Sequence, residues 1–295
     1  MNPKPLLKIG KRRDKDPTQT LALRTKFINK LCKSFSKIKT DLKKLIIDDN
    51  FLNAKEITTN KKYTYELSAK RIDDFDKWLV TQIENNILYT TIRPELVPIG
   101  QNWWANTYIY SAYQKGIYQA RANLNNIGAR LPDLGSVVAE MNKPFHAERV
   151  ALLYARAFNG MKGVTNAMRT QMNHVLATGM TDGKGPYQIA YDLVNRVDKI
   201  GITRARLIAR TEIVYAHNRA TLSEYESLEG IVGEEIKVQW WTALDERVRP
   251  QHRQWHGKIY TIEEAQSMLG APNCRCGILP YTETLAKARE KFDKQ

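Results

Sequence analysis

The stretch "KVQWWTALDERVRPQHRQWHGKIY" at residues 237–260 marks the point where the pattern of the sequence changes. Its two ends, together with the residues that follow, are rich in β-branched and aromatic side chains and predict two short strands. Immediately afterwards, Thr261 and Glu264 have the spacing of a capping box, which predicts the start of a short helix. We therefore predict a compact α+β module of roughly 50 residues near the end of the chain.

Upstream of this stretch, the apolar residues recur at helical spacing. In residues 21–46 apolar residues recur every four positions and form one stripe, with lysines around it. Residues 63–88, 101–128 and 147–180 show similar periodicity, with a break expected at Gly160 or Gly163 in the last of them. The fold class is therefore predicted to be mainly α, with long helices followed by a small α+β C-terminal module.

A last long helix before the strand-like residues is predicted over 203–230, with Gly230 as its C-terminal stop. The predicted order along the chain has four parts. They are a basic flexible arm at 1–20, a long-helix region at 21–180, a region of helices and a small α+β part at 181–281, and a charged helical tail at 282–295.

The charge of the chain favours a polyanionic partner. The chain has 46 Lys and Arg against 31 Asp and Glu, for a net charge of +15. Such a balance favours nucleic acid, although docking on an acidic protein or improved solubility would account for it as well. The candidate nucleic-acid-binding residues are those of the arm: Lys8, Lys11, Arg12, Arg13 and Lys15.

Other features of the whole sequence argue against a membrane-spanning, secreted or disulfide-rich protein. No apolar run approaches the roughly 18 residues of a membrane span, and the first residues lack the apolar core of a secretory signal. Three cysteines in 295 residues do not make a disulfide framework, so we expect folding in a reducing cytoplasm.

Four candidate metal ligands lie in the last sixty residues. His252 and His256 are followed by Cys274 and Cys276, and zinc is held by about four such nitrogen and sulfur donors. Two other interpretations stay open on spacing alone. The cysteines could be reduced packing residues beside exposed histidines, or one could be a reactive thiol activated by Arg275.

Three blocks of sequence resemble the phage Mu F-like family of minor head proteins, also called head morphogenesis proteins. They are "RLIARTEIVYAHNRA" at 206–220, the stretch at 237–260, and "APNCRCGILPY" at 271–281. The close resemblance covers about residues 180–281. The motif residues that we expect to have a structural role are Arg210, Glu212, Asn218, Asp245, Arg247 and Arg275.

The resemblance favours zinc over the other two interpretations. Many family members have Cys where this chain has Arg249 and His252, and His where it has Ala271. A position that alternates between Cys and His is typical of a metal site. The resemblance thus implies a structural zinc ion bound by His252, Cys274 and Cys276, with His256 as the weakest ligand.

Charged motif residues are expected to have structural roles. We expect Asp245 to pair with Arg247 or Arg275, and Glu212 to be a partly buried carboxylate paired with an arginine. Arg275 is expected to tie its loop to one of these two acids.

The resemblance also implies a function. It indicates a minor capsid protein of a tailed bacteriophage that is not an enzyme. Its expected partners are the portal protein, the major capsid or scaffolding protein, double-stranded DNA bound without sequence specificity, and other copies of the chain. Its expected location is the virion, at the portal vertex of the head, and the host cytoplasm during assembly. The alternatives are a zinc-dependent nuclease or ADP-ribosyl transferase acting in the host, and a cellular nucleic-acid-binding protein.

Overall fold

Long helices make up most of the fold, which confirms the predicted class. The computed structural model describes residues 15–57, 62–90, 102–284 and 286–287. Lys8, Lys11, Arg12, Arg13 and most of the predicted tail lie outside these residues. The α-helices are α1 (Leu21–Lys43), α2 (Ser68–Ile83), α3 (Asn106–Asn126), α4 (Val137–Met141), α5 (Pro144–Thr181), α6 (Pro186–Arg196), α7 (Thr203–Val232), α8 (Pro250–Trp255) and α9 (Ile262–Met268).

Three helices continue into short π-helical segments, Lys44–Asp48, Glu84–Leu88 and Val197–Ile202. No helix among the described residues is long and apolar enough to cross a membrane.

The chain divides into two compact units, each made of several segments. Unit 1 comprises Met1–Lys26, Ala105–Tyr154 and Ala209–Gln295, and unit 2 comprises Phe27–Trp104 and Ala155–Ile208. The four-part division along the sequence stays a prediction.

The core of unit 2 begins with the stripe of α1. Phe27, Leu31 and Phe35 are fully buried at successive four-residue intervals, and Ile38 and Leu42 continue the same face. Burial of this face drives the folding of the helix, and Lys30, Lys33 and Lys37 on its other faces stay in solvent.

One strand pair was missed in the sequence. β1 (Ala54–Ile57) and β2 (Lys62–Tyr65) form an antiparallel hairpin, so the helix predicted over 63–88 begins only at Ser68. The residues "KYTY" alternate at the period of a strand, but most of this short segment was assigned to the predicted helix that follows it.

Two predicted helix boundaries were also wrong. α5 runs without a break past Gly160 and Gly163, because a glycine weakens a helix by only about 1 kcal/mol. α7 does not stop at Gly230 but ends at Val232, and Gly233 follows with a φ of 80°. A left-handed glycine after the last helical residue is the usual C-terminal cap.

The C-terminal module (residues 237–281) contains a three-stranded antiparallel sheet in the order β4–β3–β5. The strands are β3 (Lys237–Trp241), β4 (Ile259–Tyr260) and β5 (Gly277–Tyr281), and β5 was not predicted. The predicted capping box is present at the start of α9. The buried core of the module includes Val238, Trp240 and Ile278 and is continuous with residues of α3 and α7.

Candidate metal centre

Two segments of the C-terminal module bring the candidate ligands together. After β3, the loop 242–249 leads into α8, whose first residue, Pro250, has no N–H to leave unsatisfied. Its third residue, His252, is buried. The loop 270–276 leads into β5 and carries Cys274 and Cys276. Because β5 pairs with β3, the cysteines lie at the same end of the sheet as α8.

The three side chains form a close cluster. His252 Nδ1 lies 3.4 Å from Cys274 Sγ and 3.4 Å from Cys276 Sγ. The three potential ligand atoms all lie within 4.8 Å of one another. A tetrahedral zinc ion, with Zn–S near 2.3 Å and Zn–N near 2.0 Å, requires N···S separations of roughly 3.5 Å. The donor types and the spacing of this Cys/His cluster therefore fit zinc.

The two thiols of the cluster differ in acidity. The pKa of Cys274 is lowered to about 5, chiefly because the thiol of Cys276 donates to it, with His252 and the backbone N–H of Cys276 adding to the effect. The pKa of Cys276 is raised, because it holds the proton shared with Cys274 and because it is buried. The pair thus holds one thiolate readily, and the thiolate is the form that ligates a metal.

Aromatic rings enclose the cluster on one side. The ring of His252 stacks on Trp255 with centroids 4.6 Å apart and meets the edge of Trp240 at 6.2 Å. On the other side, a recess lined by the three ligands and by Arg247 and others has a volume of about 10 Å³. That is room for one water molecule.

His256, predicted as the weakest ligand, is not brought to the cluster. Its Nδ1 accepts hydrogen bonds from the backbone N–H of Thr242 at 3.2 Å and faces the hydroxyl of the same residue at 3.1 Å. Its ring lies against Trp241, with centroids 4.3 Å apart. The turn after α8, completed by Gly257 at a φ of 76°, directs the side chain there.

Three of the predicted charged motif residues form an ion-pair network beside the cluster. Both terminal nitrogens of Arg275 donate to the carboxylate of Asp245, one of them at 2.8 Å. Arg247 also donates to Asp245, at 3.2 Å, but its side chain is largely exposed. These bonds, above all those from Arg275, hold the pKa of Asp245 down at about 2. Arg275 therefore ties the cysteine loop to the loop after β3.

Helix α7 helps to hold the cysteine loop through a hydrogen bond. Asn218 Nδ2 donates to the backbone carbonyl of Cys276 at 2.9 Å, in a buried position. Glu212 is buried on the same helix, and Arg210 is exposed. Of the two acids expected as partners of Arg275, Asp245 is the one to which it donates hydrogen bonds, one of them at 2.8 Å.

Two further residues support the cysteine loop, a role that was not predicted from the sequence. Thr211 accepts a hydrogen bond from the backbone N–H of Asn273 at 3.0 Å, and Arg249 donates to the backbone carbonyl of Pro272. Thr211 lies inside the Arg-Thr-Glu block, which was a signal for it. Arg249 stands where many family members were expected to have Cys, and here it holds the cysteine loop by a hydrogen bond instead.

Comparison with known proteins finds similarity over the region that contains the cluster. The family model described as "Phage Mu protein F like protein" matches residues 170–279. The minor head protein GP7 of Bacillus phage SPP1 is 27% identical over 212 residues, which cover 65% of this chain and 62% of that protein. An uncharacterized protein of Methanocaldococcus jannaschii is 30% identical over 115 residues, 38% of this chain and 17% of that protein.

The chain thus spans less than two thirds of either relative's length. No solved structure matches the chain. The matched residues 170–279 include α7, the whole Cys/His cluster and most of β5. Over residues 170–279, the chain therefore matches the phage Mu protein F-like family.

Proposed function

We propose that this chain is a minor head protein of a tailed bacteriophage and acts in head morphogenesis. The observation that carries this proposal is the family match over 170–279, together with an alignment to the SPP1 minor head protein that extends over 212 residues. In this role the chain associates with the portal protein and with the major capsid or scaffolding protein in the virion.

The shape of the Cys/His cluster supports a structural role over an enzymatic one. A hydrolytic zinc site keeps one position open for water and admits a substrate beside it. The recess at this cluster has room for about one water molecule and is bordered by Arg247, Arg249 and Arg275. A nuclease or transferase needs a larger cleft at such a site.

We propose zinc as the structural metal of the C-terminal module. His252, Cys274 and Cys276 would hold it, and the recess leaves space for a water as a further ligand. Bound there, the ion would tie α8 to the loop before β5. A small module with a limited core gains most from such a crosslink.

Metal content tests the zinc proposal. Native mass spectrometry of the untagged full chain should show zinc bound to the wild type and to Cys32→Ser, because Cys32 lies in α1, away from the cluster. Cys274→Ser/Cys276→Ser and His252→Gln should lose that ion. His256→Gln should retain it, since His256 faces Thr242. Equal zinc content in all variants would overturn the assignment of ligands.

Non-specific DNA binding is proposed on the basis of charge. The net charge is +15, and Lys15, Lys30, Lys33 and Lys37 are exposed. Each phosphate neutralised lowers the slope of log K against log salt by about 0.9. Replacing Lys8, Lys11, Arg12, Arg13 and Lys15 by Gln should flatten this slope, whereas exchanging Lys and Arg at these positions should preserve it. An unchanged slope in the Gln variant would remove the arm from the DNA contact.

Co-assembly tests the head role. The chain should be co-expressed with the portal and major capsid proteins of the same genome, and the heads should then be purified by sedimentation. The chain is expected to sediment with the heads and to co-purify with the portal protein. Its absence from heads and from portal complexes, under conditions where heads form, would overturn the proposal.

A further inference from the structure

A second cluster of potential metal ligands lies in unit 1, away from the cysteines. Glu140 on α4, His146 near the start of α5 and Glu224 on α7 direct one ligand atom each to a common point, within 4.8 Å of one another. His146 Nε2 lies 3.5 Å from Glu224 Oε2 and 3.7 Å from Glu140 Oε1. We call these three residues the Glu/His cluster.

Two of the three facing atoms of this cluster are buried and make no hydrogen bond. The side chain of His146 is 1% exposed and that of Glu224 is 0% exposed. Their facing atoms, Nε2 and Oε2, have no hydrogen-bond partner. Buried polar atoms are nearly always satisfied, so two that face each other at 3.5 Å indicate a position for a further group.

The outer atoms of the same side chains are all held in place. The hydroxyl of Tyr113 lies 2.9 Å from His146 Nδ1. Arg121 Nε donates to the outer oxygen of Glu224 at 2.6 Å, and Lys143 Nζ lies 2.6 Å from the outer oxygen of Glu140. Metal ligands in proteins are oriented in this way: the atom of the ligand side chain that does not face the ion forms a hydrogen bond with a neighbouring group.

We propose that the Glu/His cluster binds a divalent transition-metal cation of the zinc class. One imidazole nitrogen and two carboxylate oxygens are zinc ligands, and tetrahedral coordination near 2.0–2.1 Å places such atoms roughly 3.4 Å apart. The two separations involving His146, 3.5 and 3.7 Å, match this requirement with little movement. A water completes the coordination on the side of Glu140, which is the least buried of the three.

Charge balance sets the conditions for binding. Arg121 and Lys143 already neutralise the two carboxylates, and burial raises the pKa of Glu224 while it lowers the pKa of His146. The ion would therefore meet two carboxylates whose charges are already paired.

An ion at this position would join α4, α5 and α7 within unit 1. The inference does not rest on the proposed head function, and it does not rest on zinc at the Cys/His cluster. Both clusters would take zinc, so the experiment must count ions separately at each.

Zinc titration of the full chain, followed by native mass spectrometry and calorimetry, tests the proposal. The wild type is expected to bind one more zinc ion than Glu140→Gln or His146→Gln. Glu148→Gln and His174→Gln are the matched controls, because both residues are exposed on the same helix as His146. Tyr113→Phe keeps the three ligands and should weaken this ion's affinity by about 10- to 100-fold.

Each outcome decides the proposal. Loss of one ion in Glu140→Gln but not in Glu148→Gln supports it, whatever happens at the cysteines. If Glu140→Gln and His146→Gln bind as many ions as the wild type, with unchanged affinity, the Glu/His cluster is not a metal site. If only Cys274→Ser/Cys276→Ser loses an ion, the zinc proposal for the Cys/His cluster stands and this one falls.

Discussion

The helical core of unit 2 and the C-terminal module of unit 1 are stabilised in different ways. In unit 2, α1 buries an unbroken apolar face from Phe27 to Leu42, and each residue of that face adds an increment of buried area. In the C-terminal module, the loops that flank the short strands are held by specific polar contacts. His252 meets the two cysteines, Arg275 meets Asp245, and other donors hold backbone carbonyls.

This difference has a consequence for how each region responds to change. A long amphipathic face loses stability in increments as its buried side chains are truncated, and these increments do not depend on metal concentration. A module held by ion pairs and by the proposed zinc ion would respond to pH and to metal concentration, because these set the state of its contacts. The four predictions below test this contrast.

The largest effect is expected from removing the proposed zinc ligands. At zinc concentrations a thousandfold above Kd, a bound ion adds about 4 kcal/mol to the stability of the folded state. Cys274→Ser/Cys276→Ser should lose this increment, and a chelator should therefore lower the thermal midpoint of the wild type by more than that of the variant. Cys32→Ser should behave as the wild type. Chelator-insensitive melting of the wild type would contradict the contrast.

A buried position of α1 should show the opposite behaviour. Leu31→Ala removes a fully buried side chain and should reduce the free energy of unfolding by about 3 kcal/mol, with or without chelator. Leu21→Ala on the same helix removes a side chain that is 60% exposed and should change stability by less than about 0.5 kcal/mol. Denaturant titration measures both, and equal effects would contradict the assignment of the buried face.

A close approach of two helices in unit 1 should be the next most sensitive position. A Cβ added at Gly116 on α3 would lie 2.3 Å from the backbone carbonyl oxygen of His217 on α7. Gly116→Ala should therefore reduce stability by about 2 kcal/mol, since a backbone atom cannot move aside easily. At Gly163 an added Cβ meets no atom within 4 Å, so Gly163→Ala should stabilise the protein by about 0.5–1 kcal/mol.

The smallest effect concerns the ion pair of the C-terminal module. The pKa of Asp245 is lowered to about 2, so its contribution is complete above its unfolded value near 4 and is lost as the pH falls through about 2. Arg275→Met should reduce stability by up to about 1 kcal/mol at pH 7, and this difference should vanish near pH 2. Arg247→Met, at an exposed position, should have no measurable effect. A difference between the Arg275 variant and the wild type that is constant with pH would contradict this role.

The parts of this structure that were predicted from the sequence are those with a local periodic pattern or a local hydrogen-bonding motif. The stripe of α1, the capping box at Thr261 and the change to strands after α7 all follow from local periodicity or local hydrogen bonding. The β1–β2 hairpin and β5 were missed. A strand of four or five residues has too few positions for its period to be distinguished from a helix.

The cluster residues were predictable as a set, but their arrangement was not. Cys274, Cys276 and His252 were apparent from residue type, whereas the turn that directs His256 to Thr242 depends on tertiary packing. The Glu/His cluster was missed entirely, because Glu140 and Glu224 are 84 positions apart in the sequence and no motif links them.

Zinc K-edge X-ray absorption of the full chain, loaded with a single equivalent of zinc, tests the structural role of the Cys/His cluster most directly. We predict a first shell that contains sulfur at about 2.3 Å and nitrogen at about 2.0 Å, with the sulfur signal absent in Cys274→Ser/Cys276→Ser. A first shell of nitrogen and oxygen alone in the wild type would contradict the claim that this cluster holds the C-terminal module together through a metal.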